Sequence, residues 1–264
     1  LRLAGFLVCS LAPAVLGAQA PSAESILDRA LAVAEAAVER DLELRYRWRH
    51  LNSTRKPKES TRKVFRVRPV EGEPFYELVE LNGRPPDEDD LEREAALRES
   101  FRSRVGGRRG IVFDRQLMSR YRVALAGRRL RHGRPSWLLS FEPRDETPPV
   151  RRSVDHALNQ SSGLLWIDAE DYGLARIDFT LRQPVKVWAG VLGEIQVFEG
   201  SFEQQRVEPG GWLPSSLDLR VEGRALFSSL DQEVDLEWSD YRPVGGDSAG
   251  GAYDKGLKEL QSEP

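Results

Sequence analysis

The stretch SGLLWIDAEDYGLARIDFTL, residues 162–181, decides how this chain folds. Residues 164–167 form a short apolar run that ends the strand signal at Asp168, and Ile177, Phe179 and Leu181 recur at every second position. Between these runs, residues 169–173 carry acidic side chains and end in Gly173, the chemistry of a turn. The stretch therefore predicts a β-hairpin. Its acidic tip, Asp168 to Gly173, invites comparison with a calcium loop but lacks the alternating oxygen ligands and downstream Glu that such a loop requires.

The same two-residue period extends in both directions. Upstream, Tyr121, Val123 and Leu125, then Trp137, Leu139 and Phe141, mark two strands joined at Gly133-Arg134-Pro135. Downstream, strands fit at 191–207, 212–222 and 225–242. Nearer the start, apolar residues from Ile26 to Val38 recur at helical spacing to about Arg40. Leu42, Leu44, Tyr46 and Trp48 then alternate with Glu43, Arg45, Arg47 and Arg49, as in a half-buried strand. Strands at 59–69 and 73–81 follow, ended by Asn82-Gly83 and Pro85-Pro86. A charged helix is expected over 87–104, with its acidic end at the start where the helix dipole favours it. The fold class is mainly β (α+β): an antiparallel sheet too large to remain flat, curved, with helices covering one face.

Residues 1–20, with Arg2, an apolar run to Leu16 and small residues Ala18 and Ala20, read as a cleavable signal peptide. The expected organisation is a leader at 1–20, a single domain at 21–244 and a flexible tail at 245–264. The protein is expected to be periplasmic or secreted, peripheral to a membrane rather than spanning it. The only cysteine, Cys9, lies in the leader, so the processed chain has no thiol for disulfides or zinc. A net charge of −3, from 39 basic and 42 acidic residues, argues against nucleic acid as a partner.

No catalytic set emerges. Gly246-Asp247-Ser248-Ala249-Gly250 fits the G-x-S-x-G nucleophile pattern, but no histidine follows it, and such an elbow belongs between a strand and a helix. Ser248 reads as tail. His50, His132 and His156 sit in no catalytic pattern, and Asp155-His156 reads as solvated surface. No metal site and no cofactor are expected. Arg45, Arg47 and Arg49 form one row, and Arg128, Arg129, Arg131 and Arg134 another. These rows suit phosphate or lipid headgroups, although a polar strand face balanced by acidic neighbours is the favoured reading.

Residues 162–181 resemble the recurrent hairpin of the LolA/LolB/RseB-like superfamily of bacterial envelope proteins. The stretch YRVALAGRRLRHGRPSWLLSFEPR, residues 121–144, resembles the strands before that hairpin, and GGWLPSSLDLRV, residues 210–221, a later strand. The resemblance implies an unclosed half-barrel whose concave apolar face is covered by helices. It also implies a non-enzymatic carrier or chaperone for a lipid or the acyl chains of a lipoprotein, or else a module binding another envelope protein with the hollow as plain core. The residues expected to line that hollow are Leu44, Tyr46, Trp48, Phe65, Trp137, Leu139, Phe141, Ile177, Phe179 and Leu181.

Overall fold

The computed structural model describes residues 21–105, 111–187, 193–208, 210–225 and 228–244. The expected leader with Cys9, and the expected tail with Ser248, lie outside the described residues.

Helix α1 (Ala23–Glu39) begins one turn earlier than its apolar spacing suggests, because the Ser22 hydroxyl accepts the Ser25 N–H at 3.2 Å. After α1, Asp41 adopts a left-handed conformation (φ 45°) and residues Leu42–Arg45 form a 3-10 turn. Strand β1 (Tyr46–Lys56) therefore starts four residues later than the alternation from Leu42 predicts. This corrects the placement of Leu44 and Arg45, which belong to the turn and not to the strand.

The chain continues through β2 (Glu59–Val70), β3 (Glu73–Leu81), α2 (Glu88–Val105), the one-turn helix α3 (Arg115–Met118), β4 (Tyr121–Arg131) and β5 (Arg134–Pro143). Helix α4 (Ser153–Leu158), β6 (Ser161–Asp168), β7 (Leu174–Leu181), β8 (Val185–Val187), β9 (Gly193–Arg206), β10 (Trp212–Ala225) and β11 (Ser228–Pro243) complete it. All strand pairings are antiparallel, in the order β3-β2-β1-β11-β10-β9-β7-β6-β5-β4, with β8 beside β9. The sheet is open: β3 and β4, consecutive in sequence, are its two opposite edges.

Cross-strand register carries one row through eight strands, apolar in all but the first: Asn52, Leu236, Leu217, Phe202, Ile177, Leu165, Leu139, Leu125. A parallel row runs Thr54, Val234, Leu219, Gly200, Phe179, Gly163, Phe141, Val123. Because side chains alternate between faces, these rows define a single inner face. Three clusters pack on it. Ile26, Ala30 and Leu31 of α1 cover Tyr121, Leu139, Phe141, Leu165 and Ile167 at the β4–β6 end. Tyr46, Trp48, Phe65 and Val67 pack with Val207 and Leu213 at the other end. Ala157 and Leu158 of α4 cover Phe198 between them. Each large side chain so buried contributes about 1.5–3 kcal/mol.

The β6–β7 turn fastens these parts together. Asp168, 1% exposed, accepts two hydrogen bonds from the Arg134 guanidinium (2.6 and 2.9 Å) and the N–H groups of Glu170 and Asp171 (2.9 and 3.1 Å). Asp171 accepts the Trp212 indole N–H at 3.0 Å, while Arg29 of α1 donates to the Tyr172 hydroxyl at 2.8 Å and lies over its ring. A side chain at Gly173 would collide with the Trp212 indole, so only glycine permits this approach.

Burial alone would raise the Asp168 carboxyl, but the Arg134 guanidinium and the two turn N–H groups outweigh it and hold it below the usual carboxylate range. Its stabilisation is present above the unfolded-state value and is lost as pH falls through the depressed one. Asp168→Ala leaves Arg134 without its main partner and is expected to lower stability by about 3 kcal/mol. Urea unfolding at neutral pH checks this, and the wild-type advantage is expected to shrink in strong acid.

Candidate functional site

On the inner face between the three clusters, β10 and β11 present Leu217, Leu219, Val221, Val234 and Leu236, all half-buried. Leu219 and Val221 touch the α4 cluster, whereas Leu217, Val234 and Leu236 pack into none of the three. Directly across the register from Leu236 and Val234 stand Asn52 and Thr54, also half-buried. The Thr54 hydroxyl donates to the Asn52 side-chain oxygen at 3.2 Å. One position further, Lys63 faces Asn52 and makes an ion pair with Glu94 of α2 at 2.5 Å. An aliphatic strip thus has a polar border along β1 and β2.

An aromatic group closes the strip on the side of β1. Trp48 stacks on Tyr241 at 5.8 Å, and His50 lies 5.9 Å from Phe65, 5.9 Å from Tyr76 and 5.0 Å from Trp238. The Trp48 indole nitrogen and His50 Nδ1 are buried with no hydrogen-bond partner among the described residues. Burial pushes the His50 imidazole down to about 4, against a smaller upward effect from its hydrogen bond to the Glu237 backbone.

The sequence-predicted lining residues divide among the clusters. Leu139 and Phe141 are buried beneath α1, with Trp137, Ile177 and Phe179 half-buried against them. Tyr46, Trp48 and Phe65 are buried in the aromatic group. Leu181 packs against α4. Leu44, half-buried in the 3-10 turn, is off the sheet. Nine of these ten residues therefore lie on the helix-covered side of the sheet, while the half-buried residues outside the three clusters include Leu217 of β10 and Val234 and Leu236 of β11.

Asp155-His156 departs from the solvated surface expected of it. Asp155 occupies the first turn of α4, accepts the N–H groups of Arg151 and Arg152 at 3.0 and 2.9 Å, and forms a buried ion pair with Arg120 at 3.1 Å. Burial favours its neutral form, yet these N–H groups and the Arg152 guanidinium outweigh that and hold the carboxyl below its ordinary range. His156 instead lines a cavity of about 440 Å³ at the rim, with Asn159, Gln160, Gln183 and Lys186. The second arginine row is also dispersed: Arg134 binds Asp168, Arg131 binds Glu203 at 2.7 Å, and Arg128 lies over Trp137. Among the described residues, no group of three His, Cys, Asp or Glu side chains is placed to hold a metal ion, and no helix is long and apolar enough to cross a membrane.

The sequence matches no protein-family model, and no curated protein is significantly similar to it. Several solved structures are similar. One is a domain assigned to the outer membrane lipoprotein-sorting proteins, from Vibrio parahaemolyticus: 12% identity, 88% of this chain and 99% of that one, TM-score 0.37. Another is a LolA superfamily protein from Nitrosomonas europaea: 12% identity, 85% and 94% coverage, TM-score 0.33. A third is MucB of Pseudomonas aeruginosa in complex with MucA: 11% identity, 83% and 98% coverage, TM-score 0.27. At these scores no function is read across, and the architecture rests on the strand order and register above.

His50 sets an acid limit on the aromatic group. Its folded-state value near 4 lies below the ordinary 6.5, so the unfolded chain binds the proton first and stability declines as pH falls from about 6.5 to about 4. The loss across that window is on the order of 3 kcal/mol. His50→Phe is expected to flatten that part of the profile, as read from urea midpoints at neutral and mildly acidic pH.

Proposed function

We propose that the protein is an exported, non-catalytic carrier or chaperone of the cell envelope that holds the apolar chain of a lipid or lipid-modified protein on its inner face. One observation supports this above the others. Leu217, Val234 and Leu236 lie in continuous register with the apolar rows on either side, yet none of the three belongs to the buried clusters that α1 and α4 build with the sheet. An aliphatic strip facing a hollow is suited to a flexible hydrocarbon chain, which needs apolar area and no directional bonds. The Asn52, Thr54 and Lys63 border is suited to the polar end of the same ligand.

The energetics suit exchange. Burying methylenes at about 0.8 kcal/mol each gives a long acyl chain on the order of 10 kcal/mol gross. Association costs of about 4–15 kcal/mol offset much of it. The resulting affinity allows cargo to be taken up and passed on without a chemical step.

The test is displacement of a fluorescent fatty acid, together with mass spectrometry of lipids retained through purification. Leu217→Asp/Leu236→Asp places two charges in the strip and is expected to weaken fatty-acid binding at least tenfold, with the Trp48 and Trp238 fluorescence of the folded state retained. Unchanged binding in this variant, or no lipid bound by the wild type, rejects the reading.

A further inference from the structure

The outer face of the sheet is charged, and over most of its area the charges are matched across strands. Arg176 pairs with Asp178 and with Glu203, which also binds Arg131. Arg55 binds Glu233 at 2.8 Å and Asp235 at 3.5 Å, and Arg220 pairs with Glu222 and lies 3.8 Å from Glu199.

The corner formed by β11, β1, β2 and β3 differs. There the register sets Arg49 directly opposite Arg66, and Arg47 directly opposite Arg242. Like charges in directly opposed positions are destabilising, so a sheet that serves only itself has no use for them. Arg49, Arg66, Arg68 and Arg242 are exposed. Arg49 and Arg242 carry no ion pair among the described residues. The acidic side chains nearest the corner in register are Glu77, 3.5 Å from Arg66 and half-exposed, Glu73, opposite Val70, and Glu237, opposite Leu51 and diagonal to Arg49. In the same corner Phe75 stands opposite Arg68 and is 40% exposed, with the Arg68 guanidinium 5.3 Å and the Arg98 guanidinium 5.7 Å from its ring.

We propose that this corner is a docking surface for an anionic lipid bilayer, with the arginines engaging headgroup phosphates and Phe75 entering the interface between headgroups and acyl chains. Guanidinium groups bind phosphate oxygens in a bidentate fork, and several of them on one face act together at an anionic surface. An apolar ring encircled by cations is poorly used by a dissolved phosphate ion, which offers nothing for it to enter. At a membrane the ring and the cations are satisfied at once. The overall charge of −3 does not oppose this, because at physiological salt only charges within about 8 Å of the contact count.

The surface is on the opposite face from the aliphatic strip, so the two assignments stand or fall separately. Cosedimentation of the full chain with vesicles tests the proposal. Vesicles of phosphatidylglycerol and phosphatidylcholine in equal parts are expected to bind the protein, and phosphatidylcholine vesicles are not. Each arginine is expected to contribute about fivefold to partitioning. Arg49→Gln/Arg66→Gln should therefore lower it roughly 25-fold, and Phe75→Ser should lower it a few-fold even at low salt. Arg220→Gln, on the matched part of the same face, and Leu217→Asp/Leu236→Asp should leave it unchanged. Equal binding to both kinds of vesicle overturns the proposal, as does a folded Arg49→Gln/Arg66→Gln protein that partitions like wild type. So does a protein that binds an oligonucleotide or inorganic phosphate at these arginines and ignores vesicles.

Discussion

The Asp168 carboxylate at the β6–β7 turn ties together strands and turn at the α1 end of the sheet. Its four hydrogen bonds close the turn on one side and anchor β5 on the other. With the backbone of the turn so fixed, Asp171 meets Trp212 of β10 and Tyr172 meets Arg29 of α1. The turn therefore adds a polar tie to α1, whose place on the inner face is held by the burial of Ile26, Ala30 and Leu31. A buried carboxylate is stable here because both its oxygens accept hydrogen bonds, Oδ1 three and Oδ2 one, and its charge is paired with Arg134, the condition under which burial of a charge is tolerated.

Coverage, more than composition, makes the candidate site. The apolar rows are continuous across the sheet, and nothing in the chemistry of Leu217 distinguishes it from Leu139. Leu139 is fully buried because α1 lies over it. Leu217 is only half-buried and belongs to neither the α1 nor the α4 cluster. The polar border at Asn52, Thr54 and Lys63 then gives the strip a direction, since one side is aliphatic and the other hydrogen-bonds. The outer face shows the complementary logic: ion pairs across strands run over much of it, and in one corner the register sets arginine opposite arginine.

Much of this was legible in the sequence because antiparallel strands covered on one face alternate strictly. The hairpin of residues 162–181, the strands at 59–69 and 73–81 and the charged helix all appear within a few residues of their predicted places. The same alternation misled at Leu42 and Leu44, because period two cannot distinguish a strand from a 3-10 turn feeding into one, and the left-handed Asp41 leaves no compositional mark. Helix α4 is six residues long, too short to show a helical period, so the burial of Asp155 was invisible. Of the aromatic residues expected to line the hollow, Tyr46, Trp48, Phe65 and Phe141 are buried in the core. The half-buried aliphatic strip is a tertiary fact, visible only once α1 and α4 are in place.

The strand order has a temporal meaning as well. Strand β1 is made early and β11 last among the eleven, yet they are hydrogen-bonded neighbours in the finished sheet. The first three strands can form local hairpins, but as a group they have no place in the sheet until β11 arrives. Bringing together segments so far apart carries a loop-closure cost that is met only late in folding, which slows such topologies. During that interval Tyr46, Trp48 and Phe65 lack their final cover. A growing chain of this design is therefore most vulnerable to adhesion at its oldest end, and shielding by a helper during synthesis would be of greatest use there.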